Sequence, residues 1–331
     1  MNKILTSKWP ESAPPRSRSR SSWPPVLRLP LLRSRLLRLC LPALYLATLT
    51  GCLSHTRKLQ TVKAPPVVIN ADAAQLVGQI NHAYEAIHSL SATVDLQASV
   101  GGTRKGAVTD YTSLRAYILV RKPEMLRVIG LLPIVRTQAF DLVSDGTDFK
   151  LLIPPKNQAV VGKNSVTTKS ANTLENMRPS LFFDSILIRN IAPDDQVILT
   201  TDSNVSQDPK TKKWTEERDY LLSIVRAKDP AKGPNLVHEL IPQRVIRFNR
   251  QNLQPIEQDI YDADGNIETQ TLYGPLQTFG TEKFPGTVII KRPLEEYQIT
   301  LTIQKVVLNQ PLADDQFELK IPDDVQTKHL E

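Results

Sequence analysis

Four residues, Leu49-Thr50-Gly51-Cys52, carry the most definite chemistry in this 331-residue chain. A cysteine preceded by two small residues and a leucine, at the end of an uncharged apolar stretch, has the form of a bacterial lipobox. In that chemistry the sulfur is joined to a diacylglycerol and the preceding peptide is cut away. Arg28, Arg33, Arg35 and Arg38 form a basic region, and Leu39 to Gly51 then runs 13 residues without a charge. That is short of the roughly 18–20 apolar residues of a transmembrane helix and suits a secretory signal. The other reading is a short anchor helix with an incidental cysteine. Under the lipobox reading residues 1–51 are a cleaved signal peptide and Cys52 is a lipidated N-terminus.

The remaining reactive side chains do not assemble into known machinery. His55, His82, His88, His238 and His329 show no His-Glu-x-x-His spacing. There is no nucleophile elbow, phosphate loop or dinucleotide fingerprint. Asp262-Ala263-Asp264-Gly265-Asn266 resembles a calcium loop only in its first positions. It lacks the distal glutamate and lies between two alternating runs, so it reads as a hairpin turn. The sequence names no catalytic residue, metal ligand or cofactor, and points away from an enzyme.

Composition follows the leader. Nine of the 41 basic residues and one of the 34 acidic residues precede Cys52, leaving 32 and 33 and a net charge near −1. The basic footprint of a nucleic-acid binder is absent from that part. Cys40 leaves with the leader and Cys52 is acylated, so the folded part has no disulfide or thiolate metal site. Its core alone must hold it, and 280 residues suffice for that. Two or more acyl chains make a durable anchor. Leu53 and Ser54 follow the cysteine, where an aspartate would signal inner-membrane retention in Gram-negative sorting. The expectation is therefore an outer-membrane lipoprotein facing the periplasm.

The elements come next. Residues 52–71, with Arg57, Lys58, Lys63 and Pro65-Pro66, read as the lipidated end and a flexible tether reaching roughly 20–25 Å. From Asp72, the residues Leu76, Val77, Ile80, Ala83, Tyr84 and Ile87 form one helical stripe, with Asn70 or Asp72 as cap. At Ser91 the period becomes two: Ala92, Val94, Leu96, Ala98 and Val100 alternate with polar residues. The same pattern recurs at 114–120, 126–129 and 137–143, then at 196–201, 214–226, 236–249, 255–261, 267–279, 287–290, 297–307 and 317–321. Asp145-Gly146 and Asp264-Gly265 read as hairpin turns. A second helix is expected near 174–188, where Phe182, Phe183, Ile186 and Leu187 share a face. The fold class is mainly β (α+β): a curved antiparallel sheet or half-open barrel whose concave face two helices cover. The domain spans 72–325, with 326–331 as a tail.

Two segments resemble the superfamily of the lipoprotein-localisation proteins LolA and LolB. One is Leu126-Arg127-Val128-Ile129-Gly130-Leu131-Leu132-Pro133-Ile134-Val135-Arg136-Thr137 with Phe140-Asp141-Leu142-Val143-Ser144-Asp145-Gly146. It is similar to that family's strand, Pro-containing apolar loop, strand and polar turn. The other, Leu308-Asn309-Gln310-Pro311-Leu312 through Phe317 to Pro322, resembles its closing segment. The stretches at 156–170 and 203–213 are longer than in the family. The resemblance implies an apolar cavity for acyl chains or lipoproteins under a helical lid, here Phe182, Phe183 and Ile186.

Val94, Leu96, Ile118, Val128, Phe140 and Leu142 are the candidate cavity wall. Alternation alone does not separate such a wall from the core of a filled sandwich. The loop Leu131-Leu132-Pro133-Ile134-Val135 places apolar residues where polar turn residues belong. The resemblance makes it a membrane-contact loop with Leu132 at its tip; the other reading folds it back to plug the barrel mouth. Two functions stand: a carrier of acyl chains, or an envelope sensor or assembly lipoprotein binding a protein partner that the sequence does not name.

Overall fold

The computed structural model describes residues 58–59, 61–64, 68–165, 178–207, 211–227 and 239–330. Apart from residues 58 and 59, these belong to one compact unit, Gln60–Glu331. Cys52 and its lipobox neighbours Leu49, Thr50 and Gly51 lie outside the described residues, as do 174–177 of the expected second helix. No helix among the described residues is long and apolar enough to cross a membrane.

Helix α1 spans Ala73–Ala86. Asp72 caps it by accepting from the Gln75 backbone N–H at 2.8 Å, while the Gln75 side chain accepts from the Asp72 N–H at 3.1 Å. The first half of the sheet follows: β1 (Ser89–Gly102), β2 (Ala107–Asp110), β3 (Leu114–Arg121), β4 (Met125–Leu131), β5 (Gln138–Ser144), β6 (Asp148–Ile153) and β7 (Gln158–Lys163). Helix α2 spans Pro179–Ile186, with Pro179 at the first helical position, where a missing N–H costs nothing. The second half is β8 (Gln196–Gln207), β9 (Trp214–Ala227), β10 (Leu240–Asn249), β11 (Pro255–Tyr261) and β12 (Ile267–Tyr273). A small hairpin, β13 (Leu276–Phe279) and β14 (Glu282–Pro285), precedes β15 (Thr287–Arg292), β16 (Tyr297–Leu308) and β17 (Gln326–Leu330).

Fifteen strands form one open sheet in the order β17-β7-β6-β5-β4-β3-β1-β16-β15-β12-β11-β10-β9-β8, with β2 beside β1. Neighbours are antiparallel except β17 on β7, so the sheet is mixed. It curves without closing into a barrel. The run read as one strand over 267–279 breaks at Gly274-Pro275, because proline has no N–H for the ladder. Residues 317–321 are not a strand; a 3₁₀ turn occupies Asp314–Phe317. Part of the expected tether is fixed to the sheet. The Lys63 N–H donates to the Trp214 carbonyl and the Glu216 N–H to the Lys63 carbonyl, both at 3.0 Å. The C-terminal tail expected at 326–331 supplies the edge strand β17.

Two cores lie on the helix-bearing face. One packs Leu90, Val94, Ile118, Val128, Leu142, Phe149 and the strand pair β15–β16 under Phe182 and Phe183 of α2. The other packs Tyr220, Leu222, Ile246 and Phe248 under Leu76 and Ile80 of α1. Gly130 makes the first possible, since a Cβ there would lie 2.4 Å from the Phe140 ring. A third cluster, Val143, Leu152, Ala159, Leu312, Phe317 and Leu319, covers the opposite face of β5–β7. Arg127 ties it down: its Nε and Nη2 donate to both oxygens of the buried Asp141 at 3.1 and 2.8 Å, and Nη1 to the Gln316 carbonyl.

The second half of the sheet carries charge on the face away from its helix. Arg247 meets Asp202, Asp219 and Glu257 at 2.8, 3.3 and 3.1 Å. Asp259, two residues past Glu257, has one buried oxygen with no hydrogen-bond partner. Burial, then the charge of Glu257, raises its pKa to about 6. The proton is therefore held more tightly in the folded chain than in the unfolded one, and folding stability falls as pH rises from about 4 through 6. Asp259→Asn should raise stability at pH 7.5 by about 1 kcal/mol, allowing for solvent screening of this partly exposed group. Thermal melts at pH 5 and 7.5 should show the gain over wild type at 7.5 and its loss at 5.

Candidate functional site

A cavity of about 600 Å³ opens where the two cores meet. Gln79, Ile80, Ala83, Tyr84 and Ile87 of α1 form one wall, and Ile186, Leu187 and Ile188 at the end of α2 a second. The β10–β11 turn gives Asn249, Asn252, Gln254, Pro255 and Ile256; the β12–β13 corner gives Tyr273, Gly274, Pro275 and Leu276, with Pro285 from β14. The local sequence explains the gap. The α1 stripe is buried at Leu76 and Ile80, but Ala83 is exposed and Tyr84 and Ile87 are half-buried, with Ile87 packed against the first core. On the β side, Pro255 opens β11 opposite Phe248 and Pro285 closes β14 opposite Leu276, while Gly274-Pro275 separates β12 from β13.

Polar contacts join the elements around the cavity. The Asn81 side chain donates to the Ile191 carbonyl at 2.9 Å and accepts from the Ile191 N–H at 2.7 Å. This joins α1 to the chain leaving α2. Ser185 Oγ lies 2.9 Å from Thr271 Oγ1 in the interior, and Gln258 Nε2 donates to the Asp184 carbonyl at 2.9 Å. Asp184 accepts from Arg189, which also donates to Glu124. Burial raises the Asp184 pKa, while the charges of Arg189 and Arg244 oppose the rise. Tyr273 brings the one buried polar atom of the lining that lacks a partner, its hydroxyl. Burial and then Asp184 push that hydroxyl far above its ordinary range, so it stays a neutral donor. On the helix side the Lys122 ammonium lies 4.1 Å from the Tyr84 ring centroid, and burial lowers its pKa.

The residues expected to wall a cavity lie elsewhere. Val94, Leu96, Ile118, Val128, Phe140 and Leu142 are all buried beneath α2, packed with Phe182, Phe183 and Ile186 in a filled core. Of these, only Ile186 reaches the cavity. Their alternation is that of core, because α2 sits directly on them. The lining comes instead from the C-terminal half of the α1 stripe and from prolines at the ends of the later strands.

The Leu131–Val135 loop protrudes and does not plug the sheet. Its tip is Ile134, 99% exposed, with Val135 at 65%; Leu131 and Leu132 are half-buried. The Leu132 N–H donates to the Thr137 carbonyl at 2.8 Å, and the Arg136 N–H to the Leu132 carbonyl at 3.1 Å. Leu132 is thus the base of the turn and not its tip. Ile134 and Arg136 have φ of 71° and 54°. A β-branched residue in that region is strained, a feature that concentrates at functional sites.

Among the described residues no group of three or more His, Cys, Asp or Glu side chains could hold a metal ion. His82 and His88 are exposed, and His329 lies on β17; His55 and His238 are outside the described residues. The Asp262 run is a turn in which the Asp262 carboxylate accepts from the Asp264 and Asn266 N–H groups at 3.0 and 2.9 Å.

Asn81→Ala should leave α1 formed but free its link to the second helix. Hydrogen exchange at 187–191 should quicken by at least tenfold, with far less change in the β1–β16 pair.

No protein-family model matches the chain, and no curated protein matches its sequence. Solved structures do. A LolA superfamily protein from Nitrosomonas europaea is 15% identical with a TM-score of 0.43, over 76% of this chain and 99% of that one. A DUF1329 family protein from Desulfovibrio piger is 12% identical with a TM-score of 0.43, over 74% and 95%. A domain assigned to outer-membrane lipoprotein sorting from Vibrio parahaemolyticus is 8% identical with a TM-score of 0.38, over 74% and 94%. These likenesses are at 8–15% identity with TM-scores of 0.38–0.43, and they concern the fold alone.

Proposed function

We propose that this chain is a lipid-anchored envelope lipoprotein, held by Cys52 at the periplasmic face of the outer membrane, that takes acyl chains of a lipid or lipoprotein into the cavity beside α1. The observation that carries the reading is the cavity itself. It is about 600 Å³, within the range of about 300–1,000 Å³ for single-ligand sites, and mostly apolar in its lining. Ile80, Ile87, Ile186, Leu187, Ile256 and Leu276 offer a wall for methylenes. Asn249, Asn252 and Gln254 at one side offer amides for an ester or amide head. Nothing in the lining is arranged as nucleophile and base, so the site suits holding a ligand rather than cleaving it.

The protruding loop supplies a second part of this reading. Apolar side chains at Ile134 and Val135, wholly outside the fold, gain nothing in water and lose hydration cost on entering a bilayer interface. With Cys52 acylated the protein stays at the membrane, and the loop needs only to reach it.

Native mass spectrometry of residues 60–331, gently purified, should show bound acyl species. Ala83→Trp, which fills the cavity from an exposed helix position, should weaken binding of a fluorescent fatty acid at least tenfold without lowering the melting temperature. An empty protein that also fails to take up the probe would sink the carrier reading and leave the protein-partner function. Separately, Ile134→Glu should leave stability unchanged and reduce co-flotation of the same protein with vesicles several-fold.

A further inference from the structure

The loop is not the only exposed apolar feature at its end of the sheet. Arg115 pairs with Leu131 across β3 and β4, and Leu96 with Leu114 across β1 and β3. Beyond that row β3 stops, and β1 continues with β2 at its side, Ser99 opposite Asp110 through Gly102 opposite Ala107. All four β2 residues are exposed, Val108 at 61%, and Tyr111 just after it at 55%. Tyr111 is fixed there by its N–H, which donates to the Ala98 carbonyl at 2.8 Å. The free edge of β2, Tyr111 and the Ile134–Val135 tip therefore lie beyond the same end of β3 and β4. Val108, Tyr111, Ile134 and Val135 are all exposed, and the Val135 N–H donates to the Pro133 carbonyl at 2.9 Å.

Residues 97–115 and 131–138 contain Arg104, Lys105, Arg115 and Arg136 with Asp110, and Asp95, Arg292, Glu295 and Glu296 lie at the same end of the sheet. The carboxylates at this end are already engaged: Asp95 by Arg115, Glu296 by Arg104, Glu295 by Arg292, and Asp110 by the Ser99 hydroxyl. Arg136, next to the tip, and Lys105, in the turn before β2, have no ion pair among the described residues. Apolar tips flanked by uncommitted cations fit a surface with a hydrocarbon interior and an anionic skin.

We propose that this end of the sheet binds anionic glycerophospholipid headgroups, with Ile134, Val135 and Tyr111 entering the interface and Arg136 and Lys105 meeting phosphates. The proposal rests on the reading that the loop contacts a bilayer, and it adds which bilayer and a second contact element. The tyrosine, with an apolar ring and a polar tip, is suited to the headgroup level. Each cation near such a surface favours binding by about fivefold, a gain that salt screens.

The test is flotation of residues 60–331 with vesicles of phosphatidylcholine alone and of phosphatidylcholine mixed with phosphatidylglycerol. Binding should be at least tenfold tighter to the mixed vesicles and the excess lost at high salt. Arg136→Gln should cut binding to mixed vesicles about fivefold and leave phosphatidylcholine binding unchanged. Tyr111→Ser should weaken both, and circular dichroism should confirm that each variant is folded. Equal binding to both vesicle types, lost in Ile134→Glu, would overturn the anionic preference while leaving bilayer contact standing. No binding to either would overturn both.

Discussion

An open, curved sheet has one concave face, and something must cover it. Among the described residues fifteen strands meet helices of 14 and 8 residues. An α-helix advances about 1.5 Å per residue, so these cover roughly 21 and 12 Å of it. Each helix therefore settles on its own patch: α2 on the strands around β1 and β4, α1 on β9 and β10. Both border the seam between patches without covering it. Apolar side chains crowd there without a facing layer, and the space left is the cavity. Filling it would stabilise the chain by ordinary burial, so its persistence is the feature that a function has to explain.

The seam stays in register because the chain closes on itself at one point. Asn309, at φ 59°, accepts from the His88 N–H at 2.7 Å and donates to the Ala86 carbonyl at 2.9 Å. Its own N–H donates to the Ser89 carbonyl, and Ser89 Oγ to the Gln310 carbonyl. One asparagine thus ends α1, starts β1 and turns the chain out of β16. Pro311 and Leu312 then lead the strand over the outer face, where Arg121 donates to the Leu312 carbonyl and lies over the Phe317 ring. The degenerate closing segment seen in the sequence has, at Asn309, a specific mechanical reason to exist.

Periodicity made most of the fold legible. Helix α1, its cap at Asp72, and strands β1, β3 to β5, β9 to β12, β15 and β16 follow from stripes and alternation. Strands β6 and β7 were less plain because both faces are buried: Leu151, Leu152 and Ile153 are consecutive core residues, so no alternation survives. Short β2 is wholly exposed, and β17 is exposed except at Leu330, which packs against the first core. The site was harder to read. A residue under a helix and one lining a gap beside it share the same pattern, so Val94 and Ile118 looked like wall and are core. At the loop, composition identified the segment, but which residue forms the tip depended on a hydrogen bond from Leu132 that no spacing encodes.

The same ladder that fixes the loop also fixes how far it stands from the cavity. Leu131, Arg115, Asp95, Thr302 and Thr287 are successive partners along one row, and the Gly274 N–H donates to the Thr287 carbonyl. The loop base and the cavity corner at Gly274 therefore lie on one line across the sheet, five strand spacings apart, roughly 24 Å along its surface. Among the described residues, the concave surface between them carries the buried cluster under α2. A bilayer meeting Ile134 would not deliver lipid through that core. For a membrane-bound protein the loop would instead set tilt, deciding which way the mouth between Tyr84 and Leu276 faces. An acyl chain entering there would arrive from the side of the sheet, and Asn81, which fixes the spacing of α1 from Ile191, would set how wide that entrance is.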